Sequence, residues 1–298
     1  MHMARAAERL GISQPSLSEQ IQGLEQALGL RLFHRRRRAI DLTEAGRQLL
    51  VDARMLLHTH RDMLERVGRA ARGEMGRLAI GHVGSAMFVR SLAGQLKAMR
   101  KRFPGVDVRL REAGGRRLLE ALAAGDLDLV LLRAPLKIPA HLRHRVHSSQ
   151  KLVVVMPPGH VLARSRGIHL GLLAAHVLVD YAEDDQAIGI TPMVRELAQQ
   201  SGVELQVSWR VTTVGSVLGL VASGEGIGIG IVPDHAALRA SSSVVARALK
   251  PSVNSELWLV WHQDRETPAV KNFLAIVGES EERSGPSRQG HSMRQSGL

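Results

Sequence analysis

The stretch ARAAERLGISQPSLSEQIQGLEQAL, residues 4–28, decides the fold of the N-terminal part of the chain. Alanine and charged residues of high helix propensity fill Met3–Leu10, and Gly11 supplies the left-handed conformation that ends many helices. Ser13 suits the N-cap of a second helix, because its hydroxyl can accept hydrogen bonds from amides of the first turn, where Pro15 is tolerated. The pattern predicts a helix, a short turn and another helix.

The second predicted helix has two distinct faces. Leucine and isoleucine recur at helical spacing, at Leu17, Ile21, Leu24 and Leu28, which predicts one buried stripe. Its other faces carry polar side chains near the N-terminal end, at Ser16, Ser18, Glu19 and Gln22. A helix that enters the major groove of DNA carries polar side chains at this end.

The residues after Gly29 predict two short strands, Leu30 to Phe33 and Ala39 to Leu42, around an arginine-rich tip. The tip consists of Arg35, Arg36, Arg37 and Arg38. Together with the two helices, these strands predict an all-α winged helix-turn-helix domain over residues 1–42 with a two-stranded wing.

Residues 43–76 are predicted to form a linker helix capped by Thr43, followed by a hinge from Ala70 to Gly76. Within the helix, the residues spaced by four and three are Leu49, Ala53, Leu56, His60, Met63 and Val67. This spacing is typical of a dimerisation seam. An amphipathic helix packed against the core of a monomer is the alternative that the pattern leaves open.

From Arg77 onward, apolar segments of strand length alternate with helical segments, which predicts an α/β domain over residues 77–278 with a parallel sheet and helices on both of its faces. The predicted strands are Leu78 to Val83, Val106 to Arg111, Leu127 to Leu132, Lys151 to Met156, Gln206 to Val211, Ile227 to Val232 and Trp258 to His262. The predicted helices are Ser85 to Arg102, Arg116 to Ala124, Pro192 to Gly202, Val214 to Ser223 and Ala269 to Gly278. These strands and helices form one alternating set before Lys151 and a second set from Lys151 onward. Two sets imply two lobes with a cleft between them. Residues 279–298 have too few apolar groups to fold and are predicted to form a disordered tail.

Composition narrows the class of protein further. The chain has 298 residues, 40 basic and 28 acidic, and the resulting net charge of +12 is compatible with a polyanionic partner. Residues 1–76 hold only 13 basic against 9 acidic groups, so the excess charge alone does not single out a nucleic-acid-binding domain. It has no cysteine, which excludes disulfides, thiolate zinc sites and iron–sulfur ligation. No apolar run approaches the roughly 20 residues of a membrane span, and charged residues at the start argue against a signal peptide. We therefore expect a cytoplasmic protein without a membrane partner.

No pattern in the chain indicates catalysis. Neither a Gly-x-Ser-x-Gly elbow nor a His-x-x-x-His metal pair is present, so we predict no enzyme activity, no metal and no cofactor. Residues 224–230, GEGIGIG, superficially match a dinucleotide fingerprint. Such a fingerprint should follow a strand and open a helix, so these residues are better explained as a turn and a buried strand.

The chain resembles the LysR-type transcriptional regulators. The resemblance rests on ARAAERLGISQPSLS at 4–18, IQGLE at 21–25, LRLFHR at 30–35 and LTEAG at 42–46, and in the C-terminal part on FP at 103–104, GDLD at 125–128, KLV at 151–153 and residues 221–233. It implies a winged helix-turn-helix joined to a two-lobed effector domain similar to periplasmic binding proteins. The implied partners are promoter DNA, a small-molecule effector, RNA polymerase and further copies of the chain, as a dimer or tetramer. The cleft sequence is most similar to regulators of aromatic-compound degradation.

The resemblance also raises a question about the first helix. Members of this family usually begin with a further helix before the segment that opens here at Met1. If the true start lies upstream, the chain is a ligand-responsive DNA-binding regulator. If it does not, the alternative is a small-molecule-binding protein whose truncated head no longer binds DNA.

For DNA, the resemblance places Gln14, Pro15, Ser16 and Ser18 at the groove-facing end of the recognition helix. A glutamine amide can form two hydrogen bonds with adenine, and the serines and proline let the helix end approach closely. Phosphates or a narrow minor groove would be held by Arg31, Arg35, Arg36, Arg37 and Arg38. A solvated run of charges is the alternative for these arginines.

For the effector, the strand ending at Gly84 leads into Ser85 and a predicted helix N-terminus, where free amides form an anion site without any cation. The resemblance carries the ligand carboxylate to Gly84, Ser85 and Ala86. It further places Gly115 across the cleft, where close relatives often have threonine, and Ile190 and Thr191 on the second lobe. Arg133 follows a strand and could balance a carboxylate, or it could form a salt bridge with Asp128.

Overall fold

The structure is a computed structural model that describes residues 3–36, 39–181, 189–224 and 229–283. The chain divides into two compact units, an N-terminal unit of residues 1–68 and a C-terminal unit of residues 69–298. The sequence placed the start of the effector domain at residue 77, eight residues later than this division.

The N-terminal unit contains the predicted helix-turn-helix. Its elements are α1 (Met3–Leu10), α2 (Gln14–Leu28), β1 (Phe33–Arg36), β2 (Ala39–Leu42) and most of α3 (Glu44–Ala71). The Ser13 hydroxyl accepts a hydrogen bond from the Ser16 amide at 3.3 Å, as expected of an N-cap, and Gly29 ends α2 with a φ of 68°. Helix α1 packs against α2, and Ala7 and Leu17 are buried.

The predicted stripe on α2 is only partly buried. Leu17 is buried, but the exposed fractions of Leu24 and Leu28 are 45% and 46%. The prediction fails at the C-terminal end of the helix, where these two leucines are nearly half exposed. Apolar spacing predicts which face is apolar, whereas a neighbouring element decides whether that face is buried.

The first wing strand begins three residues later than predicted. The Glu25 carboxylate on α2 accepts hydrogen bonds from the amides of Leu32 at 2.7 Å and Phe33 at 3.2 Å, which holds residues 30–32 out of the sheet. Strand β2 has the predicted bounds and pairs antiparallel with β1. Arg35 and Arg36 therefore lie in β1, whereas residues 37 and 38 lie outside the described residues.

Helix α3 begins at the predicted cap. The Thr43 hydroxyl accepts from the Gly46 amide at 2.9 Å and donates to the Arg31 carbonyl at 2.7 Å. A Cβ at Gly46 would lie 2.1 Å from the Leu32 carbonyl oxygen, so only glycine permits this close approach of helix and wing.

The predicted hinge from Ala70 to Gly76 is fastened to the C-terminal unit. The Asn272 side-chain amide donates to the carbonyls of Arg72 at 3.0 Å and Gly73 at 3.2 Å. Gly73 has a φ of 69°, and a Cβ there would meet the backbone of Pro268 at 2.5 Å. These contacts explain why the division between the units falls before residue 70.

The C-terminal unit alternates strands and helices. Its strands are β3 (Met75–His82), β4 (Gly105–Glu112), β5 (Leu129–Arg133), β6 (Leu142–Met156), β7 (Gly167–His169), β8 (Val177–Tyr181), β9 (Gln206–Val211), β10 (Ile229–Pro233), β11 (Val245–Lys250) and β12 (Asn254–His262). Its helices are α4 (Arg90–Arg102), α5 (Gly115–Ala124), α6 (Ile190–Gln200), α7 (Val214–Ser223), α8 (Ala236–Ala240) and α9 (Pro268–Arg283). A 3₁₀ helix, Gly84–Phe88, precedes α4.

The sheet is mixed, whereas the sequence predicted a parallel one. Strand β3 is parallel to β4 and β5, and β8 is parallel to β9 and β10, so the prediction holds within each group. Strands β6 and β12 join the groups and run antiparallel to their neighbours. Strand β6 pairs with β12 over residues 142–151 and with β10 over 152–155, so one long strand passes from one lobe to the other.

Two hydrophobic cores define the lobes. The first lobe is built on β3, β4, β5 and β12 with α4, α5 and α9, and the second on the end of β6 with β8, β10, β11, α6 and α7. Phe88 belongs to the first lobe by sequence but packs against the core of the second. The two predicted α/β lobes are therefore present.

Two helices differ from their predicted bounds. The helix predicted from Ser85 to Arg102 is broken at Val89, whose extended backbone (φ −82°, ψ 112°) separates the 3₁₀ helix from α4. Helix α9 continues to Arg283, where the sequence predicted a disordered tail from residue 279, and Glu279 forms an ion pair with Arg102 at 2.8 Å. Residues 284–298 of the predicted tail lie outside the described residues.

Within the described ranges, no helix is both long enough and apolar enough to cross a membrane.

Candidate functional site

Residues predicted to bind the effector follow the carboxyl ends of three neighbouring parallel strands. Gly84 and Ser85 follow β3, Gly115 begins α5 after β4, and Arg133 ends β5. The carboxyl ends of parallel strands meet at one edge of a sheet, which is where ligands bind in open α/β folds.

The structure brings Ser85 and Arg133 into direct contact. The Arg133 side chain is 1% exposed, and its Nε donates to the Ser85 hydroxyl at 3.1 Å. Its Nη1 donates to Gln150 Oε1 at 2.5 Å and to the Ser255 carbonyl at 3.0 Å. The alternative partner, Asp128, instead accepts from the Ala79 amide at 2.7 Å. A buried guanidinium thus connects Ser85 to β6 and β12, the two strands that join the parallel groups of the sheet.

This arrangement bears on the predicted anion site at Ser85. The sequence suggested an anion site formed by a helix N-terminus without any cation. The helix at Ser85 is a five-residue 3₁₀ helix, and the Ala86 amide already donates to the Val83 carbonyl at 2.9 Å. So short a helix contributes little dipole, whereas the Arg133 guanidinium lies within hydrogen-bond distance of the Ser85 hydroxyl.

Gly84 lies where the two lobes approach each other. A Cβ at this position would be 2.8 Å from the Glu112 carboxylate of the first lobe and 4.0 Å from Thr213 of the second. An anion beside Gly84 would be repelled by Glu112. Ser85, on the side of Arg133, is the more favourable place for a carboxylate.

The predicted residues of the second lobe are already engaged within it. The Ile190 side chain is buried in the second core, and the Thr191 hydroxyl lies 2.6 Å from the Tyr181 carbonyl and 3.2 Å from an Asp180 oxygen. Burial raises the pKa of Asp180, and the Thr191 hydroxyl opposes that shift. These residues have no described contact with Ser85 or Arg133, so a role for them would come through the backbone at the start of α6.

A cavity beside these residues is too small for a metabolite. It measures about 30 Å³ and is lined mainly by apolar side chains of the second lobe, including Ile190 and Ile231. Pockets that hold small molecules measure about 300–1,000 Å³. We therefore do not assign the effector to this cavity.

Sequence reasoning missed an aromatic contact between the lobes. The rings of Phe88 and His235 stack with centroids 4.3 Å apart and an interplanar angle of 19°. His235 follows β10 of the second lobe and is 8% exposed. The sequence has 14 scattered histidines, and only the position of His235 shortly after a predicted strand distinguishes it as a candidate site residue.

The histidines around Arg133 favour their neutral forms. Burial lowers the pKa of His147 to about 4, and the charges of Arg145 and Arg133 act in the same direction. Burial also lowers the pKa of His235; Asp234 opposes this shift and Arg133 adds to it. Arg133 is therefore placed among imidazoles that resist becoming charged.

On the N-terminal unit, the residues predicted to contact DNA lie at the start of α2. Gln14 and Pro15 are exposed, and Ser16 and Ser18 are half-buried. Arg31 is exposed just before the wing, and its carbonyl is held by the Thr43 hydroxyl. The side chains of residues 35–38 lie outside the described part of the chain.

Helix α3 exposes much of its apolar surface. The seam residues Leu56, Met63 and Val67 are 71%, 44% and 61% exposed. This exposure argues against the alternative of a helix packed into the core of a monomer. Exposed apolar side chains outside the predicted seam are Val51, Met55, Leu57 and Leu64, so the apolar surface is wider than a single seam.

The described residues include no cluster of three or more histidine or acidic side chains that could hold a metal ion.

Family models match both parts of the chain. The model of the bacterial regulatory helix-turn-helix protein, lysR family, matches residues 1–47, and that of the LysR substrate binding domain matches residues 71–281. The second match alone covers more than half of the chain.

Individual relatives are similar to this chain over nearly its full length. The chain is 34% identical over 275 residues to an uncharacterized HTH-type transcriptional regulator, YnfL, of Escherichia coli, covering 92% of this chain and 91% of YnfL. It is 31% identical over 291 residues to the regulator AlsR of Bacillus subtilis, covering 97% and 95%. The crystal structure of full-length CbnR complexed with its target DNA has a TM-score of 0.78 at 26% identity, covering 94% of each chain. The chain therefore belongs to the LysR family of bacterial transcriptional regulators.

Proposed function

We propose that this regulator senses a small carboxylate-bearing metabolite through Ser85 and Arg133. The observation that carries the proposal is the buried Arg133 guanidinium at 3.1 Å from the Ser85 hydroxyl, at the carboxyl ends of parallel strands. A guanidinium and a hydroxyl are complementary to a carboxylate, and their burial strengthens the interaction. Gly84, Ala86, Gly115, Ile190 and Thr191 complete the proposed site through backbone or packing.

Through the same guanidinium, a bound ligand can change the arrangement of the lobes. Arg133 contacts Gln150 on β6 and Ser255 on β12, the strands that join the parallel groups of the two lobes. A carboxylate bound at Ser85 would compete for the donors of Arg133 and so change how firmly these strands are held. The ligand then shifts the equilibrium by its differential affinity for the two arrangements.

The DNA target is contacted, in this proposal, by the start of α2 and by the wing. Gln14, Pro15, Ser16 and Ser18 enter the major groove, while Arg31 and the arginines at 35–38 hold the phosphates. Exposed apolar residues of α3 pair two copies of the chain, and RNA polymerase is the partner at the promoter. An aromatic effector remains a prediction from the cleft sequence.

The first test measures binding of the protein to DNA from upstream of its own gene. Carboxylates are screened for those that change the affinity of this complex. We expect an active carboxylate to lose its effect when replaced by its methyl ester, because the ester lacks the charge that Arg133 recognises. In Ser85→Ala we expect at least a tenfold rise in the concentration of acid required. DNA affinity without effector checks that the variant is folded.

Ser242→Ala is the matched control, since Ser242 is exposed on a loop of the same unit. A methyl ester as effective as its acid, or an unchanged response in Ser85→Ala, would contradict the proposed site.

A further inference from the structure

We infer that the effector is a hydroxy-carboxylate, and that His235 is the residue that selects its hydroxyl group. This inference rests on the proposed carboxylate site and extends it to the second lobe. Two observations carry it: the position of His235 between the lobes and the unsatisfied hydrogen-bonding capacity of its ring.

The position of His235 follows from the geometry of the 3₁₀ helix. Ser85 and Phe88 are three residues apart, and side chains at this spacing lie on the same side of a 3₁₀ helix. His235 of the second lobe stacks on Phe88, with 4.3 Å between ring centroids. Its imidazole thus lies beside the face that carries Ser85, and Arg133 is near enough to influence its charge.

Both ring nitrogens of His235 are buried and have no hydrogen-bond partner among the described residues. A buried polar group without a partner is unfavourable, so such groups in folded proteins usually indicate a missing partner. The Ser255 hydroxyl, which is fully buried, also lacks a partner among the described residues. Ser255 is also the residue whose carbonyl accepts from Arg133, so this second unsatisfied group belongs to a residue that contacts the proposed site.

The chemistry of a neutral imidazole indicates which ligand group can pair with His235. Burial favours the neutral ring against the opposing charge of Asp234, and Arg133 acts in the same direction as burial. A neutral ring has one N–H donor and one nitrogen acceptor. A carboxylate can only accept, so it can pair only with the N–H of the ring. A hydroxyl both donates and accepts, so it can pair with whichever ring nitrogen faces the ligand. With the carboxylate at Ser85 and Arg133, a hydroxyl elsewhere in the ligand would reach His235 across the cleft.

The experiment compares matched acids on the full-length protein by calorimetry. The pairs are lactate and propionate, 3-hydroxybutyrate and butyrate, and 4-hydroxybenzoate and benzoate. We expect the hydroxy acid of the pair that fits the cleft to bind about tenfold more tightly than its partner, because a site built for a hydroxyl rejects analogues without one.

Two variants of one position test the role of the ring. In His235→Phe, which retains an aromatic ring against Phe88, the affinity ratio within the pair should fall to about one. In His235→Gln, the side-chain amide keeps a donor and an acceptor. The hydroxy acid should therefore still bind several-fold more tightly than its partner acid. Thermal unfolding of each variant checks its folding.

The outcomes separate this inference from the proposed function. If acids bind and depend on Ser85 but show no preference for the hydroxyl, or if His235→Phe keeps the preference, the role of His235 is overturned and the carboxylate site stands. If the acids bind with the same affinity to Ser85→Ala as to the wild-type protein, the proposed site and the role of His235 are both overturned.

Discussion

His147 shows how a single buried side chain can couple folding to pH. Its Nε2 lies 2.7 Å from Gln95 Oε1 inside the first lobe, and its pKa falls from 6.5 to about 4. The folded state therefore disfavours the proton that the unfolded chain accepts readily. The stability contributed by neutral His147 is present above pH 6.5 and is lost as the pH falls from 6.5 towards 4.

We predict that the wild-type C-terminal unit loses about 2 kcal/mol of unfolding free energy between pH 7 and pH 5 through this residue. In His147→Gln this part of the pH dependence should disappear, because glutamine does not titrate. Urea unfolding followed by tryptophan fluorescence reports on the C-terminal unit alone, since the tryptophans are Trp209, Trp258 and Trp261.

The control variant is His169→Gln, which replaces an exposed histidine on β7. It should keep the full wild-type slope. A slope in His147→Gln equal to that of the wild type would show that His147 does not dominate the acid response.

At the scale of elements, we propose that α2 recognises the base sequence and that the wing binds the phosphate backbone. The carboxylate of Glu25 binds the backbone at the start of β1, so the helix and the strand are held in one arrangement. Gln14 at the start of α2 and Arg31 before the wing are both exposed, and we propose that Gln14 contacts base edges and Arg31 contacts phosphate. Base contacts confer specificity, and phosphate contacts confer salt-dependent affinity.

We predict that Gln14→Ala weakens binding to the operator by about 1–3 kcal/mol while binding to random DNA is unchanged. Arg31→Ala should weaken binding to both DNAs alike and lower the slope of affinity against salt by about one charge. Fluorescence anisotropy across a salt series measures both quantities. Equal losses on operator and random DNA in Gln14→Ala would remove this residue from base recognition.

At the scale of the whole molecule, α3 carries an apolar surface that a single chain leaves exposed. Exposed apolar groups at a helical spacing of four and three favour association with a second helix of the same kind. A regulator that binds DNA as a pair of heads depends on this contact, because the spacing of the heads sets the spacing of the half-sites.

We predict that Leu56→Glu converts the assembly to smaller species and lowers operator affinity at least tenfold, because it places a charge in the seam. His58→Gln is the control: it changes an exposed polar residue on the opposite side of α3 from Leu56, adds no charge beside Asp62, and should leave the assembly unchanged. Sedimentation velocity measures the size of each variant. An unchanged sedimentation coefficient for Leu56→Glu would place the dimer contact elsewhere.

The sequence by itself determined the local elements and the family. The caps at Ser13 and Thr43, the bounds of β2, β9 and α7, and the alternation of strands and helices follow from patterns within about 15 neighbouring residues. The contact of Arg133 with Ser85 joins residues 48 apart, and its contact with Ser255 joins residues 122 apart. The antiparallel crossing of β6 and β12, the stacking of His235 on Phe88 and the exposure of Leu24 likewise depend on which elements meet. Only the tertiary structure decided these features, because periodicity records which face of an element is apolar and carries no information about the partner it meets.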